Sequence, residues 1–136
     1  YLPKGKTKKK RRYKTMKKIE IFEKAMNEGG SIKDYGINST LFAAYRDCQE
    51  TGNDNIDFNG VIWDYDIEAI LEDCRKLGVK EFTISSTFSS LIETIAKFEE
   101  LGCTLDGIVK VKERYTHFGS DEHALIPAFK MTVKEA

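Results

Sequence analysis

The sequence is poor in the residues that most often advertise a chemistry. Its 136 residues hold two histidines, two prolines, one tryptophan and three cysteines. Cys48, Cys74 and Cys103 fall in no CxxC spacing, and an odd count fits a reducing compartment better than a disulfide framework. No metal-ligand spacing occurs, so neither a metal nor another cofactor is expected, and no residue is assigned as catalytic. No apolar run approaches the ~20 residues of a membrane span. The basic N-terminus also lacks the apolar stretch of a signal peptide. These absences predict a soluble, cytoplasmic protein with no membrane contact.

Acids are missing from one stretch. Residues 1–15 carry eight cations (Lys4, Lys6, Lys8, Lys9, Lys10, Arg11, Arg12, Lys14) and no acid. The other fourteen Lys and Arg and all 22 acids lie in residues 16–136, which therefore carry −8. A net charge of zero is thus a basic arm cancelled by an acidic body. The arm has no apolar pattern to pack, which predicts disorder. The chain opens at Tyr1 whereas Met16 opens the first patterned segment, so residues 1–15 read equally as sequence added ahead of a natural start. Residues 16–136 have the size of a single α/β domain.

The patterning predicts about four helices and three to four strands. Ile19, Phe22, Ala25 and Met26 mark an amphipathic helix from about Met16 to Asn27, ended by Gly29-Gly30. Asn38 to Thr40 offer cap oxygens to a second helix with Leu41, Ala44, Tyr45 and Cys48 on one face. IDFNGVIW, from Ile56 to Trp63, reads as a short strand or extended connection. Asp64 is placed to cap a third helix, stopped by Gly78. KEFTIS reads as a strand, and Ser90 with Glu93 as a capping box opening a fourth helix that ends at Gly102. IVKVK and ALIPAFKMTV alternate as two closing strands. Pro127 cannot donate to a ladder, which predicts an edge or a bulge there. A strand–helix–strand step followed by a hairpin implies a small mixed sheet packed with helices, ending in an antiparallel pair.

Two segments attract anions on chemical grounds. Lys8, Lys9, Lys10, Arg11, Arg12 and Lys14 would release counterions on meeting a polyanion, with Tyr1 and Tyr13 available to stack on bases. Ser85, Ser86, Thr87, Ser89 and Ser90 lie where a strand enters a helix, so hydroxyls and free N–H groups converge there. Ordinary capping explains the same residues, and the turn has no glycine to let a ligand approach its backbone.

Other patterns fail on inspection. Gly52 to Val61 resembles a calcium loop, yet its register puts Gln49 first, Asp54 at the glycine position and Gly60 at the bidentate Glu position. A helix-turn-helix over Gly30 to Arg46 leaves a middle helix of only about Ile32 to Tyr35, under a body of −8 that repels phosphates. His117 and His123 flank the final turn near Arg114, Asp121 and Glu122, where surface turns collect such residues anyway. Trp63 reads as a core or hinge-packing aromatic.

IDFNGVIWD, EFTISSTFSSLIETIAKFEELGC and KERYT, with INSTLFAAYRD and HALIPAFKM, resemble a family of small uncharacterised bacterial proteins found on mobile genetic elements. The likeness covers most of residues 16–133 and leaves the arm outside. It implies a bacterial cytoplasmic setting and brings no catalytic residues. More faintly, the helix–strand–helix–hairpin order, with Glu100 to Cys103 after the last helix, is similar to the C-terminal half of the Gcn5-related acetyltransferases. The acidic start of helix three, WDYD, would repel the cofactor pyrophosphate that those enzymes bind.

The leading expectation is a non-enzymatic accessory or regulatory protein that binds a macromolecular partner such as another protein. The alternatives are a nucleic-acid-binding protein that uses the arm and an anionic-ligand-binding or acetyltransferase-like domain built on Ser85 to Ser90.

Overall fold

Each helix forms where an apolar stripe meets a stop signal. In the computed structural model, which describes residues 18–116 and 119–135, α1 spans Glu20–Glu28 with Phe22 and Ala25 buried. Glu20 and Glu23 sit in its first turn, where the helix dipole favours acids. Ile19 ahead of it is extended, so the helix starts later than its periodicity predicts. The Tyr45 hydroxyl accepts the Ile19 N–H at 3.1 Å and donates to Glu23. Burial and the Glu23 contact push that hydroxyl up to about 12. A 3-10 turn, Ile32–Tyr35, leads to α2, Ser39–Thr51. Asn38 caps α2 by accepting the Leu41 N–H at 2.9 Å.

Further on, β1 is Ile56–Phe58 and α3 is Ile67–Leu77, preceded by a 3-10 turn over Asp64–Asp66. Next come β2, Glu81–Ile84, and α4, Leu91–Glu100. The long closing strands are β3, Cys103–Thr116, and β4, His123–Val133. Two expected caps are not made. Neither Asp64 nor Ser90 gives a side-chain hydrogen bond to the helix that follows. Asp66 instead accepts from Asn38 Nδ2 at 2.7 Å and from the Thr40 hydroxyl, tying the start of α3 to the start of α2.

The strand order is β1-β2-β4-β3. β1 and β2 are parallel, with Ile56 opposite Phe82 and Phe58 opposite Ile84. β4 runs antiparallel to both of its neighbours. The last strand is thus inserted between two earlier ones, and β3 becomes an edge. Ile56, Phe58, Phe82, Ile84 and Met131 share one face of the sheet and enter the core with Ile70 and Leu71 of α3 and Phe98 of α4. Phe82 is its hub, with ring centroids 5.3 Å from Phe58 and 5.1 Å from Phe98.

β4 is interior in the strand order, yet Pro127 lies where β4 has one free side, because β2 is short. Beyond Ile84, paired with Phe129, β2 gives β4 no neighbour. Lys112 sends its N–H away from β4, so Lys110, two residues back in the same ladder, does likewise. Pro127, opposite Lys110, therefore points its nitrogen away from β3, past the end of β2. The missing donor costs no ladder bond.

The sheet curls. β1 and β3 occupy opposite edges, yet α2 packs on β1 and also meets β3 through Asp47 and Arg114. The distal half of the β3–β4 hairpin consequently overhangs the carboxyl ends of β1 and β2. Trp63 is not a core aromatic: it is 59% exposed, with Tyr65 beside it at 83%. The connection that carries both residues runs outside the core, which is filled by Ile62 and Ile67 on either side of them.

Candidate functional site

Alternation places a carboxylate on the face away from the core. Ile56 and Phe58 point inward, so Asp57 between them points the other way, as does Thr83 between Phe82 and Ile84. Their register sets them side by side. The Thr83 hydroxyl donates to Asp57 Oδ1 and the Ser85 hydroxyl to Oδ2, each at 2.6 Å. Burial raises the Asp57 carboxyl above its ordinary range, and hydrogen bonds from Ser85, Thr83 and the Ser85 amide partly restore it. This carboxylate is therefore a clasp between β1 and β2.

Around it, under the hairpin overhang, lies a two-lobed cleft. One lobe, of about 290 Å³, runs between α2 and the end of β1, past Thr40, Asp47 and Asp57. The other, of about 350 Å³, lies between Ser85, Ser86, Thr87 and Phe88 on one side and Tyr115 and Ile126 on the other. Asn59, Gly60, Val61 and Arg114 line both lobes. Ligands of open sheets with parallel strands favour such a place, beyond the strands' carboxyl ends.

Arg114 stands where the lobes join. One guanidinium nitrogen is 3.5 Å from Asp47 Oδ1, and the Arg114 side chain remains 34% exposed. Asn59 Nδ2 donates to the other Asp47 oxygen at 3.3 Å. The Arg114 contact is an ion pair without hydrogen-bond geometry, so Asp47 Oδ1 is enclosed and lacks a hydrogen-bond partner. The Ser86 hydroxyl is enclosed and unpartnered too. These are the two enclosed side-chain polar atoms without partners among the described residues, and both line the cleft. Enclosed polar groups are nearly always paired, so two orphans in one cleft wall are unusual, although neither is open to the cleft as the side chains stand.

The serine-rich turn divides. Ser85, Ser86 and Thr87 line the cleft, but Ser85 is engaged by Asp57. Ser89 and Ser90 are exposed and outside the lining. The glycine missing from that turn comes from the neighbouring connection: a Cβ at Gly60 would meet nothing within 4 Å, so its backbone faces open space. Lys8, Lys9, Lys10, Arg11, Arg12, Lys14 and His117 lie outside the described residues. His123 directs Nδ1 to the Glu113 carbonyl at 2.7 Å.

Asp47, Asn59, Gly60 and Arg114 have no motif in the sequence. A buried Asp amid the polar positions of α2 and an Arg in a strand of lysines become informative only when the curled sheet brings them together. Among the described residues, no group of three or more His, Cys, Asp or Glu side chains is placed to hold a metal ion. None of their helices is long and apolar enough to cross a membrane.

No curated protein and no solved structure matches the chain. One family model, described as a domain of unknown function (DUF7698), matches residues 40–133. The match begins at Thr40 on the cleft wall and runs past Ile126, so it contains every residue that lines the two lobes except Ser39. The chain belongs to the DUF7698 family.

Proposed function

We propose that this protein is a non-enzymatic accessory or regulatory domain that holds an anionic group of a small ligand in the two-lobed cleft. The reading is carried by the Arg114 guanidinium, which stays 34% exposed where the two lobes join. An ionised acceptor would suit its free N–H groups, since charge-assisted hydrogen bonds are the stronger kind. The Ser85 hydroxyl is engaged by the Asp57 carboxylate, which also accepts from Thr83, and we assign it to the β1–β2 clasp. The setting implied by the family resemblance, a bacterial cytoplasm and a mobile genetic element, belongs to the same proposal.

The test is thermal melting of the full chain with inorganic phosphate, acetate and formate. At least one anion should raise the melting temperature, and Arg114→Lys should reduce that shift. A panel with no shift would overturn the reading.

A second reading, binding of a macromolecular partner, has its own support. Between Arg46 and Arg75 there is no Lys or Arg but nine acids, and exposed Trp63 and Tyr65 sit within that run. Exposed aromatics of this kind anchor interfaces. A partner captured by the full chain and lost with Trp63→Ala and Tyr65→Ala supports this reading, whereas capture that disappears only on deletion of residues 1–15 assigns binding to the arm.

A further inference from the structure

We infer that the outer face of α3, with the aromatic turn ahead of it, is a docking surface for the chain's own basic segment, Lys4 to Lys14. The inference rests on the reading of Trp63 and Tyr65 as an interface and names the occupant; the cleft plays no part in it. Asp64, Glu68 and Glu72 follow one another at four-residue steps and are all exposed. Such spacing sets acids about one helical turn apart, where like charges repel. None of the three forms an ion pair with a described residue. Arg75 gives its guanidinium to the Leu101 and Lys134 carbonyls, at 2.7 and 2.9 Å. Within α3 that leaves Lys76, in the last turn, to oppose the acids. Carboxylates beside an exposed indole and phenol suit Lys and Arg, because the rings also attract a cation to their faces.

The place where the segment joins the domain supplies the second half of the argument. Lys18, the first described residue, lines a groove with Lys76, Leu77 and Gly78. The chain ahead of it therefore enters beside the C-terminal end of α3. From Lys76 the acidic face runs back to Trp63 over about 20 Å, at ~1.5 Å per residue. Lys14 to Lys8 precede Lys18 by a length of extended chain of roughly 13–35 Å. Those cations thus reach every acid of the face and both rings. Residues 1–15 carry eight cations and no acid. The tether makes the contact intramolecular, at an effective concentration on the order of mM.

Trp63 is the only tryptophan, so its fluorescence reports on this face alone. Acrylamide quenching is measured on the full chain as salt rises from about 0.01 M to about 1 M, which shortens the reach of exposed charges from ~30 Å to ~3 Å. Quenching should increase about twofold over that series as the segment is released. A full-length chain carrying Lys8→Gln, Lys9→Gln, Lys10→Gln, Arg11→Gln and Arg12→Gln should start near the high-salt value. Glu68→Gln with Glu72→Gln should reduce the salt response. The salt series on the unaltered chain stands even if a variant does not fold. Quenching that ignores both salt and the arm substitutions would overturn the inference, while leaving Trp63 and Tyr65 as an interface for a foreign partner, which the capture experiment decides. A salt response that changes with protein concentration would overturn it as well, by assigning the docked segment to a second copy.

Discussion

Asn53 pairs with Lys112 as a strand would. Its Oδ1 accepts the Lys112 N–H at 2.8 Å and its Nδ2 donates to the Lys112 carbonyl at 3.0 Å. One side-chain amide thereby replaces a missing strand at the outer edge of β3 and fastens the overhang to the loop ahead of β1. Asn53→Ala should cost about 1 kcal/mol, given ~0.5–1.5 kcal/mol for each hydrogen bond and partial compensation by water at an exposed edge. The Lys112 amide should also exchange its hydrogen faster, which NMR or mass spectrometry can follow. Unchanged exchange at Lys112 would mean that the overhang is held by other contacts.

The core and the surface aromatics should respond in opposite ways to truncation. Phe82 is fully buried at the hub of the aromatic cluster, so Phe82→Ala should lose about 3–5 kcal/mol. Trp63→Ala, at an exposed position, should stay within about 0.5 kcal/mol. Denaturant titration measures both. A large loss at Trp63 would contradict its exposed placement.

Asp57 sets a pH dependence with a definite sign. Because burial raises its carboxyl in the folded state, the native protein holds that proton at pH values where the unfolded chain has released it. Its contribution to stability is therefore full below the ordinary carboxylate range and is lost as pH rises from there through the raised folded value. Asp57→Asn should remove this portion of the slope. Stability–pH curves for the two proteins that coincide in shape would dismiss the burial effect.

The three thiols should be inert in the native state. Cys48, Cys74 and Cys103 are all buried, and burial pushes them up to about 12, about 12 and about 11. The thiolate is the reactive form, so a disulfide-exchange reagent at pH 8 should modify almost none of them until denaturant is added. Rapid reaction of one equivalent in native buffer would expose an error in that packing.

Much of the fold was legible because its signals are local. The caps at Asn38 and Gly52, the alternation in β2 and the breaks at Gly29, Gly78 and Gly102 announce their elements. Where reading failed, the competing interaction was distant. Asp66 is engaged by Asn38 and Thr40, and Trp63 lies outside because Ile62 and Ile67 fill the core on either side. The serines were visible as an anion-friendly turn, but nothing local distinguishes Ser85, taken by Asp57, from Ser86, enclosed without a partner. Arg114 and Asp47 meet only across a curled sheet, and no spacing rule foretells that.

The placement of the last strand has a consequence for biosynthesis. Among the described residues, β4 supplies the only ladder that β3 has, as well as the second neighbour of β2. While the ribosome is still making residues 123–133, β3 has emerged with nothing to zip onto, and the cleft has no roof. Completion of the sheet therefore waits for residues 123–133, and a nascent chain stalled before His123 would present two bare strand edges to chaperones or to its neighbours.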